Sequence, residues 1–294
     1  MLERKPLFYF VALTIIFSWP LFLIPLLLPA MEATQKALTM QGLWALAMWG
    51  PGFAAILVTL VIARQPFHTL GLNRLGAKRP YLWAWFLPPV LIVLSGLLTI
   101  LFGLGKLDLS FTFLRQQMAQ TSTQLPIPAE AIVALQMIQA LIFGPLINLL
   151  FTLGEELGWR GFLLPRLLPL GRWKALILTG LVWGLWHAPA IAQGHNYPEH
   201  PILGILLMTV FCILIGIIIG WMYLCSRSPW VAAVAHGSLN AWAGLPILFL
   251  KPGYDTALGG TLTSMTGWLV MLLFIGWLIW SRRLPVPEDE VVSV

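Results

Sequence analysis

Five ionisable side chains stand inside apolar stretches of this sequence: Glu155, Glu156, Arg160, His187 and His236. Each would cost on the order of 3 kcal/mol near the centre of a bilayer, so such groups are candidates for function. In G-E-E-L-G-W-R (Gly154 to Arg160), helical spacing puts Glu156 four residues before Arg160, the favourable order for an ion pair. Glu155 points about 100° away, on a polar stripe with Asn148, Thr152 and Trp159. It is expected to be the unpaired carboxylate. L-V-W-G-L-W-H-A-P carries His187 on the face of Gly180 and Gly184, whose lack of side chains admits a neighbouring helix. Pro189 cannot donate to the carbonyl of Leu185, which loosens the helix beside the histidine. A-H-G-S-L-N places His236 and Asn240 on one face, flanked by the small residues Ala233 and Gly244.

An ion cluster at a helix end, a packed core histidine and an interhelical asparagine bond would each explain one of these features alone. Depth argues for a shared site. At about 1.5 Å per residue from the nearest basic loop residue, Glu155, His187 and His236 lie about 16, 20 and 14 Å into the membrane. A carboxylate, two imidazoles and a carboxamide in one low-dielectric chamber suit amide hydrolysis. Glu155 would act as general base on water, His187 would hold that water or share its proton, and His236 and Asn240 would donate to the oxyanion. The alternative is a Zn²⁺ ligated by Glu155, His187 and His236, which lowers the pKa of a bound water. Residue types alone leave both open.

The elements that must position these groups are membrane helices. Of 294 residues, 59% are hydrophobic, 10% are charged and 15 are tryptophan, a composition foreign to a water-soluble domain. Eight apolar runs approach or exceed bilayer length: roughly 7–28, 43–63, 81–105, 131–164, 175–192, 202–225, 229–250 and 262–280. Unbroken runs of this kind are helices, so the expected fold is all-α, polytopic, with about eight transmembrane helices around an intramembrane polar site. The fourth run exceeds one crossing and is expected to tilt or break near Pro145 or Pro165. Ser228-Pro229 reads as the N-cap and first-turn proline of the seventh. The first follows Arg4 and Lys5 but is too long for a signal-peptide core, so it is an anchor.

The net charge of +6 follows topology rather than nucleic-acid binding. Counted by alternate loops, 13 Lys and Arg fall on the side of both termini and 4 on the other, which places both termini in the cytoplasm. The plasma (inner) membrane is the expected location. The domain plan is one transmembrane unit over residues 1–283 with a catalytic core at about 131–250, then a disordered cytoplasmic tail, 284–294, carrying Glu288, Asp289 and Glu290. The loop from Lys106 to Glu130 is expected along the outer interface. Cys212 and Cys225, 13 residues apart in one run, are too distant to bridge.

The order E-E-x-x-x-R (Glu155, Glu156, Arg160), aromatic-x-x-x-His (Trp183 to His187) and H-x-x-x-N (His236 to Asn240) resembles the CPBP (Abi) intramembrane proteases. That family includes the type II CAAX prenyl endopeptidases and proteins linked to bacteriocin processing and self-immunity. The resemblance covers about Leu141 to Leu250, and Trp183 stands where that family usually has Phe, as a cavity wall. It implies that Glu155 and His187 activate water, that His236 and Asn240 stabilise the oxyanion, and that Glu156 and Arg160 support them. It also implies cleavage near the C-terminus of a membrane-associated or lipidated peptide entering from the cytoplasm. Two other classes remain: a non-enzymatic bacteriocin-immunity protein and, less favoured for want of paired half-repeats, a proton-coupled transporter.

Overall fold

The computed structural model describes residues 3–29, 32–120 and 127–284. The predicted tail lies outside them except for Leu284. The chain is all-α. Helices α1 (Arg4–Leu23), α2 (Ala33–Ala47), α3 (Gly50–Leu57) and α4 (Arg79–Leu101) precede a short helix, α5 (Thr112–Gln120). Then come α6 (Ala129–Ile142), α7 (Gly144–Glu156), a π-helical turn at Leu157–Leu163, and α8 (Leu164–Leu167). The remainder is α9 (Arg172–Trp186), α10 (Ala188–Ile191), α11 (Leu203–Ser226), α12 (Pro229–Trp242) and α13 (Met265–Trp280).

Each of the eight apolar runs contains helix. Five helical segments are long and apolar enough to cross a membrane, or six if a bent pair is one span. That pair, Ala129–Ile142 with Gly144–Leu170, bends by 55°. The bend falls at Phe143, just before Pro145, which sits in the first turn of α7 and has no N–H to continue the ladder. Two runs expected to span are shorter as built. The fifth is carried by α9, of 15 residues, because the chain re-forms as α10 after His187 with Pro189 in its first turn. The eighth is carried by α13, of 16 residues. Ser228 does occupy the N-cap position of α12 with Pro229 following, but its side chain makes no capping bond.

The core sits around α11 and α12. Almost every residue of α12 from Val231 to Leu239 is buried, as is most of α11, consistent with a helix apolar all round. Helix α12 packs on α7 and α4, and α9 packs along α11. The α9 contact uses the predicted glycines: a Cβ at Gly180 would lie 2.8 Å from the carbonyl oxygen of Cys212, and one at Gly184 would lie 3.0 Å from Cβ of Thr209. On α12 the expectation for Gly244 fails, since nothing lies within 4 Å of a Cβ there. The close approach is made instead by Gly237, where a Cβ would lie 2.7 Å from the carbonyl oxygen of Pro145. The chain leaves α12 at Trp242, before Gly244 can meet a neighbour.

The charged segment is itself a packing surface. Gly154 and Gly158 face the start of α3, where a Cβ at Gly154 would sit 2.9 Å from the carbonyl oxygen of Met48 and one at Gly158 2.8 Å from the carbonyl of Pro51. The Trp49 indole ties the same junction by donating to the carbonyl of Leu150 at 3.0 Å. Backbone cannot retreat as a flexible side chain can, so Gly158→Ala is expected to destabilise the protein by about 1–3 kcal/mol. An unchanged thermal midpoint for that variant in detergent would refute the contact.

The loop after α4 returns to the bundle through a bridge between Leu107 and Leu250. There Asp108 accepts from the backbone N–H groups of Ser110 and Thr112 at 2.9 and 2.7 Å and starts α5.

Candidate active site

The site is assembled at the end of α7, the end of α9 and the middle of α12. Directly after Glu155 and Glu156 the helix widens into the π-turn, every residue of which is buried. Such turns recur at functional sites. Glu156 and Arg160 form the expected pair: Nη1 of Arg160 lies 2.7 Å from both carboxylate oxygens, and both side chains are fully buried. His236 joins them, its Nδ1 3.0 Å from Oε1 of Glu156. A carboxylate only accepts when ionised, so Nδ1–H is the donor and Nε2 is left for another partner.

Glu155 is not without partners. Its Oε2 accepts from the Trp183 indole at 2.7 Å and from the Trp159 indole at 3.2 Å, while it stays only 2% exposed. Both donors fall on the same oxygen, which leaves Oε1 with acceptor capacity. The polar stripe predicted on this face is present. Its Thr152 donates to the carbonyl of Ala233 at 2.9 Å, fastening α7 to α12 one turn from His236, and Asn148 turns back to the carbonyl of Gly144 at 2.9 Å.

Trp183 is the junction of the group, a larger part than the cavity wall its sequence context suggests. Besides donating to Glu155, it carries the Arg160 guanidinium 4.8 Å above its ring and meets the His236 ring edge-on at 5.2 Å. Its carbonyl, freed at the C-terminal end of α9, lies 2.9 Å from Nδ1 of His187. A carbonyl only accepts, so Nδ1 of His187 bears the hydrogen, and in the neutral ring Nε2 is the bare nitrogen. The ring is half-buried against Trp186 at 4.7 Å, and Sγ of Cys212 approaches Nδ1 at 3.8 Å. Asn240, one turn beyond His236, is exposed.

The structure thus draws Glu155, Glu156, Arg160, Trp183 and His236 into one contact network. His187 joins through the backbone of Trp183, and Asn240 lies at the rim. Trp159 and Cys212 are additions. The i+4 spacing of Trp159 from Glu155 was visible in the sequence, whereas the approach of Cys212 depends on how α9 and α11 cross. Replacing the indole with a phenyl ring, which removes the N–H together with part of the ring, tests the junction. Trp183→Phe is expected to lower turnover by about ten-fold or more, as befits a lost hydrogen bond to a charged group, and an unchanged rate would show that the bond is idle.

A Zn²⁺ site needs three or four side-chain ligands around one point. Among the described residues no three His, Cys, Asp or Glu side chains converge closely enough to hold one ion. Nδ1 of both histidines is held by a carbonyl or a carboxylate and Oε2 of Glu155 by two indoles, which leaves both Nε2 atoms and Oε1 as the available donors. As arranged, the described residues assemble no three-ligand site, and the chemistry follows from the protein's own side chains.

A family model described as type II CAAX prenyl endopeptidase, Rce1-like, matches residues 130–242, a stretch that contains every residue of this site. CAAX prenyl protease 2 of Methanococcus maripaludis is 36% identical over 85 residues, covering 27% of this chain and 31% of that protein. The chain therefore matches about a third of the length of this curated relative. With the polar network carried inside a bundle of long apolar helices, the chain is an integral membrane protein whose segment 130–242 is similar to the Rce1-like type II CAAX prenyl endopeptidases.

Proposed function

We propose that the protein is an intramembrane endopeptidase that cleaves a membrane-associated or lipidated, CAAX-like peptide near its C-terminus. The observation that carries this reading is the division of labour between adjacent carboxylates. Glu156 is consumed by Arg160 and His236, whereas Glu155 is held by two indole donors on one oxygen and keeps the other.

In the proposed reaction, Oε1 of Glu155 takes a proton from water, and the water oxygen bonds to the scissile carbonyl carbon. His187, with Nε2 bare, accepts a hydrogen bond from that water. Charge that develops on the carbonyl oxygen is met by the Asn240 amide and by His236 as the imidazolium, whose Nδ1–H stays on Glu156 while its Nε2–H donates to the oxyanion. The C–N bond then breaks, and the proton taken up by Glu155 passes to the leaving amine. His236 meets the oxyanion while Glu156 fixes its ring, which assigns Glu156 and Arg160 to positioning.

The substrate class and the cytoplasmic entry side come from the family resemblance, and the loop-charge asymmetry is consistent with that side. The test is cleavage in liposomes of a farnesylated C-terminal peptide and its unprenylated, membrane-anchored counterpart, with the released fragment identified by mass spectrometry. Cleavage of either supports the activity and their ratio reports the lipid requirement. Absence of any fragment from both would overturn the proposal.

A further inference from the structure

A cavity of about 410 Å³ opens where α4 begins and α11 and α13 end, lined by Arg79, Trp83, Trp221, Cys225, Arg282 and Arg283 among others. It shares no residue with the Glu155 site. Three guanidinium groups surround it and no carboxylate lines it. Among the described residues, no Asp or Glu forms an ion pair with Arg79, Arg282 or Arg283.

The walls are built rather than incidental. Trp83 and Trp221 meet edge-on at 5.8 Å, and Phe274 backs Trp221 at 6.0 Å. Arg283 lies 4.9 Å from the face of Trp277. The turn that presents the two C-terminal arginines is held by N–H bonds from Arg282 to Ile279 and from Arg283 to Leu278, at 3.0 and 2.8 Å. Arg282 takes a φ of +58° there, uncommon for a non-glycine residue. Trp221 is 5% exposed, and its indole nitrogen lacks a partner.

Position supplies the ligand class. Three apolar helices end together at this level, with Trp83, Trp277 and Trp280 in the place that aromatic belts take at a membrane surface. Within a helical turn of the lining residues Trp83 and Ser281 along α4 and α13, Leu82, Phe86, Ile279 and Trp280 are exposed and apolar. We propose that this cavity binds the phosphate of an anionic, glycerol-headgroup phospholipid, with the acyl chains lying along that apolar flank. Guanidinium matches phosphate oxygens in a fork geometry, and basic pockets between membrane helices suit anionic headgroups. A choline or ethanolamine headgroup would bring a further cation against three arginines.

The test uses the full-length protein in neutral detergent, with native mass spectrometry after addition of phosphatidylglycerol or phosphatidylcholine. Preferential retention of phosphatidylglycerol is expected, weakened about five-fold for each arginine changed in Arg79→Gln, Arg282→Gln and Arg283→Gln. The matched variant Arg64→Gln/Arg74→Gln/Lys78→Gln, which removes equal charge from exposed positions outside the cavity, is expected to bind as the parent does. Equal retention of both lipids, unchanged retention in the triple cavity variant, or equal loss in the matched variant would overturn the proposal. Inorganic phosphate that competes as well as the lipid, at equal phosphorus, would also overturn it by making the site one for free anions. If the triple variant does not fold, Arg79→Gln alone, at an exposed helix start, is expected to show the five-fold loss.

Discussion

Glu155→Gln is expected to reduce peptide cleavage by about 10²- to 10⁴-fold, the range for loss of a general base, while the protein melts close to the parent. The amide keeps the shape of the carboxylate. Its oxygen still accepts from Trp183 and Trp159, which hold Glu155 at 2.7 and 3.2 Å. The amide nitrogen then occupies the other position, and it cannot take a proton from water. Activity within ten-fold of the parent would remove Glu155 as the base. In that event His187→Gln should carry the loss instead, because its Nε2 is the other bare basic atom of the group. The same variant separates enzyme from immunity protein. Protection of cells from a bacteriocin that survives Glu155→Gln would mean that blocking, not hydrolysis, is the activity.

The largest effect on stability is expected from splitting Glu156 and Arg160. Both are fully buried, and removal of one leaves an uncompensated charge in a medium that cannot solvate it. Arg160→Met is expected to cost about 3–5 kcal/mol. Glu156→Gln should cost a similar amount, since it strands Arg160, whose Nε already lacks a partner. The double variant Glu156→Leu/Arg160→Met is expected to recover much of that loss, because two apolar residues of similar volume need no mutual neutralisation. It should not recover activity, as His236 would lose the carboxylate 3.0 Å from Nδ1. Thermal midpoints in detergent and a double-mutant cycle measure the coupling. Single variants that melt like the parent would show that the pair contributes little.

Much of this arrangement was legible where the contact is local. The Glu156–Arg160 pair follows from four-residue spacing on a helix and persists even though the chain turns π-helical at Leu157. The break near Pro145 follows from a missing N–H, and the close face of α9 from Gly180 and Gly184. Less was legible where one helix must choose its rotation against another. Adjacent carboxylates point about 100° apart, and nothing along the chain says which of them α12 will face. His236 takes Glu156, and the partners of Glu155 prove to be two tryptophans, one of them 28 residues away. The error at Gly244 has the same origin, since a small residue invites close approach only if the helix is still present there.

The sequence by itself determined the class of protein and its chemical inventory. Hydrophobic run length dictates membrane helices because unpaired backbone is too costly in lipid, and rare ionisable groups within those runs mark the polar site. Tertiary structure alone decided the pairing: which carboxylate is neutralised, which keeps a free oxygen, and which atoms of His187 and His236 remain available. It also brought Arg79 and the Arg282–Arg283 turn, about 200 residues apart, around one cavity. Periodicity along a helix is a local property of the backbone, whereas the rotation and crossing of helices depend on the packing of every side chain between them.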